Sequence, residues 1–192
     1  MGKAYHAIDD QLGAWIAAQK LFFVATAPRS DTGLVNCSPK GGDALRVLGP
    51  LEVAYLDGSG SGVETIAHLR ENARIVVMFC AFEGSPRIVR LHGSGEVIDG
   101  AHPEFGALLE RFPKSASART VIRIAVSRVS DSCGYGVPLY EYRAERTESA
   151  NYVAKASDRT LRKYLLDHNQ QSLEGLPGLS PEAIDGVRFS RS

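Results

Sequence analysis

The feature that most limits what this chain can fold into is its rhythm. Short apolar or alternating segments follow one another, separated by turn residues and interrupted only briefly by helical patterns. Leu21-Phe22-Phe23-Val24-Ala25-Thr26 is aromatic and β-branched, the composition of a buried strand. Pro28 to Gly33 carries Pro, Ser, Asp and Gly, as a hairpin connection does, and Leu34 to Ser38 is the expected return strand. Ala44 to Leu48 and Leu51 to Leu56 flank a Gly49-Pro50 turn. Arg74 to Phe82 is strongly apolar, and Arg87 to Ile98 and Thr120 to Val129 alternate apolar with polar residues. Short strands at this density predict a mainly β barrel or sandwich with flanking helices. They do not give the regular β-α-β alternation of a doubly wound sheet, and no GxGxxG or P-loop is present.

The helices are few. Over residues 7–20, Ile8, Leu12, Trp15 and Ile16 fall on one stripe. Val63 to Asn72 follows a Gly/Ser loop, and Pro103 to Phe112 opens with proline. Beyond Arg146 the character changes. Ser157 is placed to cap a helix through Leu161, Tyr164, Leu165 and His168, and 181–192 reads as a polar, frayed end. The expected division is 1–145 as a barrel domain and 146–192 as a helical extension packing on the barrel or on a partner.

Charge and cysteine content narrow the function. Twenty-two basic residues balance 22 acidic ones, so no broad electrostatic footprint for nucleic acid or an anionic membrane is expected. Cys37, Cys80 and Cys133 form no CxxC pair, which suits a reducing compartment. With no signal-like N-terminal apolar core and no membrane-length apolar run, a soluble cytoplasmic protein is expected. The five histidines are scattered, so no metal site is expected, and no GxSxG or triad signature appears.

Three segments have residues suited to binding. In Val35-Asn36-Cys37-Ser38-Pro39-Lys40-Gly41-Gly42 a strand ends in Asn, Ser and Lys before two glycines, offering a cation and approachable backbone. Lys40 there meets a phosphate, a carboxylate or a ring edge, or is a solvated turn lysine. Tyr55-Leu56-Asp57 runs into Gly58-Ser59-Gly60-Ser61-Gly62 and then a helix, where free N–H groups and the hydroxyls of Ser59, Ser61 and Thr65 make a phosphate cradle or an ordinary capped loop. Ser132-Cys133-Gly134-Tyr135-Gly136-Val137-Pro138 brackets an aromatic with glycines, for a ligand or for a tight connection. No acid, base or nucleophile set stands out. A chain of this kind leaves its chemistry to a cofactor.

In order and spacing these residues resemble the pyridoxamine 5′-phosphate oxidase-like flavoproteins. The resemblance rests on Phe22 to Thr26, Val35 to Gly41, Ala67-His68-Leu69-Arg70-Glu71-Asn72-Ala73-Arg74 with the strand after it, the strand with Gly93-Ser94-Gly95, and the segments 132–138 and 173–179. It spans most of residues 8–180.

The resemblance implies a split β-barrel homodimer with FMN at the subunit interface and a small-molecule substrate. It carries Asn36, Ser38, Lys40, Tyr55, Ser59, Ser61 and Thr65 over as cofactor-binding residues and names no catalytic residue. Two departures are visible. The basic pair that grips the phosphate is absent from Ser61-Gly62-Val63-Glu64-Thr65, and Ile88 stands where the family has Gln. They speak against the vitamin oxidation itself. They leave an FMN-dependent oxidoreductase, a deazaflavin-dependent reductase of the same barrel, or a flavin- or haem-binding protein without turnover.

Overall fold

Phe22-Phe23-Val24-Ala25-Thr26 does form a strand, with Phe22, Val24 and Thr26 buried and the residues between them half-buried. The computed structural model describes residues 2–113 and 115–191. In chain order its elements are β1 (Ala4–Tyr5), α1 (Asp10–Ala18), β2 (Phe22–Thr26), β3 (Asn36–Lys40), β4 (Leu45–Gly49), β5 (Glu52–Asp57), α2 (Glu64–Asn72), β6 (Arg74–Cys80), β7 (Ile88–Asp99), α3 (Phe105–Leu109), β8 (Ser117–Ala118), β9 (Thr120–Ser132), α4 (Glu148–Lys155), α5 (Asp158–His168), α6 (Pro181–Asp185) and β10 (Arg188–Phe189).

The eight-stranded sheet has the order β3-β2-β6-β7-β9-β5-β4, with β1 also on β9; β8 and β10 make a separate pair. Every pairing is antiparallel. The sheet curls into the split β-barrel expected from the strand rhythm. Its inner face holds Val24, Val53, Tyr55, Val77, Leu91, Ile122 and Ile124, all without solvent exposure. Where β7 crosses β9 the register shifts between His92 and Gly93. The carbonyl of Ala125 fills the space a Cβ on Gly93 would need, so only glycine permits that crossing.

The helices follow their sequence signals. Asp9 caps α1 by accepting from Leu12 N–H, and Ser157 caps α5 by accepting from Thr160 N–H. α1 buries Leu12 and Ile16. No helix among the described residues is long and apolar enough to cross a membrane.

Two expectations are corrected. The return strand is Asn36–Lys40, two residues beyond Leu34–Ser38, because Phe22 pairs with Lys40 and Thr26 with Asn36. Leu34 and Val35 are left exposed, and Leu34 N–H turns to Glu174 Oε1 at 3.1 Å. The end of the chain is ordered secondary structure rather than a frayed tail. Ser180 accepts from Ala183 N–H, Pro181 occupies the first turn of α6, and β10 pairs with β8. Leu165, Leu179, Ala183, Ile184 and Val187 share one core with Val63, Ile66 and Leu69. Burying these side chains holds α5, α6 and the segment between them on α2.

Candidate functional site

β3 is an edge strand, and its register sets which side chains point inward. Asn36, Ser38 and Lys40 lie opposite buried Thr26, Val24 and Phe22 and share their face, while Cys37 and Pro39 face out. Asn36 Nδ2 donates to Thr26 Oγ1 at 3.1 Å and to Thr65 Oγ1 at 2.9 Å. Thr26 Oγ1 is also 3.0 Å from Nδ1 of the fully buried His68. His68 Nε2 lies 3.5 Å from Glu174 Oε2, which accepts from Ser172 Oγ at 2.9 Å. A continuous polar chain therefore runs from α2 through β3 and β2 to the loop before α6. Burial pushes the Glu174 carboxyl upward, but the donors Ser172 Oγ and Leu34 N–H outweigh it and hold the group below its usual range.

Lys40 ends the inward row on a second network. Its Nζ donates to Asp57 Oδ1 at 2.6 Å. Arg119 takes the other oxygen, Nη2 at 2.5 Å and Nε at 3.1 Å from Asp57 Oδ2. Burial pushes the Asp57 carboxyl up; the charges of Arg119 and Lys40 overcome this and hold it below the ordinary value. Arg119 Nη1 continues to Gly62 O at 2.8 Å and to Asn169 Oδ1 at 2.6 Å, and Asn169 Nδ2 donates to Gly60 O at 3.0 Å. The Gly/Ser loop is thus tied down from inside by a guanidinium and an amide, and Ser59 N–H is held by Ser117 Oγ at 2.7 Å.

This disposition changes the expected phosphate cradle. The cap of α2 is Val63, with no side-chain hydrogen bond, and Ser61 is exposed. Glu64 Oε2 folds back over Gly62, so a carboxylate already faces that helix end. An anion there meets like charge, and the α2 terminus is a poor phosphate seat. The hydroxyls of Tyr55, Ser59 and Thr120 are buried without a hydrogen-bond partner among the described residues. Tyr55 is fully enclosed, with its ring edge-on to Phe22 at 5.7 Å, and burial pushes its hydroxyl well above the usual tyrosine value.

The space nearby lies on the other side of Lys40. A cleft of about 790 Å³ opens between the end of α1, the 41–44 turn, the start of the Gly/Ser loop and the 142–150 segment. Lys20, Lys40 and Arg146 bring positive charge to it, Asp43 and Glu145 negative charge, and Ser59 borders it. Its volume is that of a small-molecule or cofactor site. Of the sequence candidates, Lys40 and Ser59 reach this cleft. Asn36 and Thr65 meet behind it as the polar support of β3, Tyr55 is enclosed in the core against Phe22, Ser38 sits on the same face of β3 between Asn36 and Lys40, and Ser61 stands apart on the surface.

Sequence reasoning missed Asp57, Arg119, Asn169 and Arg146. Asp57 had a signal, an acid closing an apolar strand before glycine. The other three lie far along the chain, and only the fold brings them in.

A family model described as Pyridoxamine 5′-phosphate oxidase matches residues 8–133. The pyridoxamine 5′-phosphate oxidase family protein ustO of Aspergillus flavus is 39% identical over 204 residues, covering 96% of this chain and 81% of that protein. Among solved structures, a HupZ variant from Group A Streptococcus aligns with a TM-score of 0.50 at 22% identity, over 65% of this chain and 99% of that one. A second HupZ structure from Group A Streptococcus gives 0.48 at 21%, over 64% and 91%.

Proposed function

The chain belongs to the pyridoxamine 5′-phosphate oxidase family, and from that premise we propose that it is a flavin-dependent oxidoreductase holding FMN in the cleft above Lys40. The observation that carries this reading is the fixed ammonium at the cleft wall. Lys40 Nζ is 2.6 Å from Asp57 Oδ1, and its side chain is 21% exposed, so it is held rigidly yet still reaches the cleft. Ser59 also borders the cleft, with its hydroxyl oxygen buried behind the wall.

When bound, the flavin supplies hydride transfer, which no side-chain set here provides. Lys40 presents a donor to an electron-rich ring edge or to a substrate carboxylate. Asp57 and Arg119 keep that donor in place, with Arg119 spanning to the Gly/Ser loop. Lys20 and Arg146 give an anionic group the positive surroundings that the α2 terminus lacks. The substrate is a small molecule entering from the open side of the cleft. Three unpaired cysteines suit a reducing cytoplasm.

We also propose that the protein works as a homodimer. On the outer sheet face, Pro39, Phe23 and Met78 lie in one cross-strand row and Cys37, Ala25 and Val76 in the next, and none is buried. An apolar, unpaired sheet face is the kind of surface that associates. The substitution Met78→Lys is expected to shift the protein from dimer to monomer in light scattering; a wild-type monomer would remove this part of the reading.

The primary test is an absorption spectrum of the purified protein after addition of FMN and removal of the unbound fraction. About one perturbed flavin per chain is expected. Lys40→Met is expected to weaken retention about tenfold or more, the range of a charge-assisted hydrogen bond. No retained FMN with either protein overturns the FMN assignment, and retention of a deazaflavin instead would move the cleft to that cofactor.

A further inference from the structure

We propose that a second pocket, beside the flavin cleft, binds the ring of a small arylalkylamine, an aromatic ring bearing a protonated amine on an alkyl arm, and is where the substrate sits. The pocket has a volume of about 360 Å³ and lies between the end of α1, the loop after β6 and the segment 140–142. Leu21, Phe82, Tyr140 and Tyr142 make its apolar walls. The rings of Phe82 and Tyr140 are 5.5 Å apart and tilted by 35°.

The walls are anchored. Tyr140 N–H donates to Phe82 O at 2.9 Å, and Tyr142 N–H donates to Glu83 Oε1 at 3.1 Å. The 140–142 segment is thereby tied to the β6–β7 loop at two points. Tyr140 nonetheless keeps 63% of its surface exposed. Aromatic groups held in place by backbone bonds yet open to solvent form a receptive surface, since they gain by burial when a ring enters.

Charge selects the ligand class. Glu83 and Glu141 bring two carboxylates to the pocket against one ammonium, Lys20. That ammonium already lies 5.6 Å over the Tyr142 ring. Carboxylates and aromatic faces together favour a cation and disfavour an anion. The pocket shares Lys20, Leu21 and Tyr142 with the larger cleft, so a ring seated under Tyr140 opens toward Lys40. The word substrate rests on the flavin reading above; the binding site itself does not.

The test uses calorimetry on the full-length protein, with and without FMN. The probes are tryptamine and indole-3-acetate, which share one ring system and differ in charge. Tryptamine is expected to bind one per chain, and indole-3-acetate at least tenfold more weakly. Tyr140→Ala is expected to weaken tryptamine at least fivefold while flavin retention stays unchanged, because Tyr140 does not line the larger cleft. Glu141→Lys is expected to abolish the preference for the amine. Absence of tryptamine binding, equal affinity for the two probes, or indifference to Tyr140→Ala would each overturn the proposal. So would a Tyr140→Ala protein that binds no tryptamine but loses its dimeric state, which would assign the aromatic strip to a subunit contact. If FMN is not retained yet the tryptamine pattern holds, the flavin reading fails and the amine site stands.

Discussion

Arg119 Nη2 lies 2.5 Å from Asp57 Oδ2, with 5% and 1% of the two side chains exposed. Removing one partner from such a pair leaves a buried charge uncompensated. Asp57→Asn is therefore expected to cost about 3–5 kcal/mol in urea unfolding. The double variant Asp57→Leu/Arg119→Met is expected to cost clearly less than the two single variants added together, because the only charge it leaves without its partner is the partly exposed Lys40. Additive costs would show that the pair is not coupled.

The same pair sets a pH dependence. Asp57 has a depressed folded-state pKa, because Arg119 and Lys40 outweigh the upward push of burial. A depressed carboxyl contributes stability above its unfolded value, about pH 3.9, and that contribution is lost as pH falls through the lower folded value. Asp131 acts in the same sense: hydrogen bonds from the Tyr5 hydroxyl and the Lys3 N–H and the Arg87 charge overcome its burial. The thermal midpoint should therefore fall steeply below about pH 4. In Asp57→Asn this acid limb should be shallower, measured as the slope of the midpoint against pH.

Asn169 bridges the guanidinium and the Gly/Ser loop. Asn169→Ala removes the acceptor of Arg119 Nη1 and the donor to Gly60 O. A loss of about 1–3 kcal/mol is expected, as for a buried polar group stripped of its partner. Hydrogen exchange should report the change locally, with Ser59 N–H and its neighbours exchanging faster than amides of β7.

Ala73 closes α2 with φ at 59°, a left-handed conformation that costs a Cβ-bearing residue free energy. Its N–H still reaches Leu69 O at 2.9 Å and its carbonyl accepts from Gly95 N–H at 2.8 Å. Ala73→Gly relieves the strain and keeps both bonds. A gain of about 0.5–1 kcal/mol is expected in denaturant unfolding, after allowing for the greater freedom of glycine in the unfolded chain.

The barrel was readable because period-two runs such as Phe22 to Thr26 and Thr120 to Val129 carry the packing pattern locally. The Ser157 cap was readable because a capping residue is a local signal at the start of its own helix. The edge strand was displaced by two residues because its register comes from pairing Phe22 with Lys40, not from its own composition. The end of the chain was misread for another reason. Ser180-Pro181 is a helix start, but the burial of Ile184 and Val187 that sustains it comes from α2 far upstream. Of the candidate site, Lys40 and Asn36 stood out as polar residues at a strand end. Their partners did not, because Arg119 is 62 positions from Asp57 and Thr65 is 29 from Asn36.

Residues 138–150 are exposed without a break, whereas the chain on either side is knitted into one core. Continuity of the backbone and continuity of the fold are therefore separate properties in this molecule. A protease that nicks the exposed run divides the covalent chain, but α5, α6 and β10 stay seated on α2 and β8 through Leu165, Ile184, Val187 and the β10 pairing. The two pieces should travel as one particle on a sizing column and separate only in denaturant. Supplied as two polypeptides, they form a natural split protein whose reassembly can be read directly from Arg119 regaining Asn169.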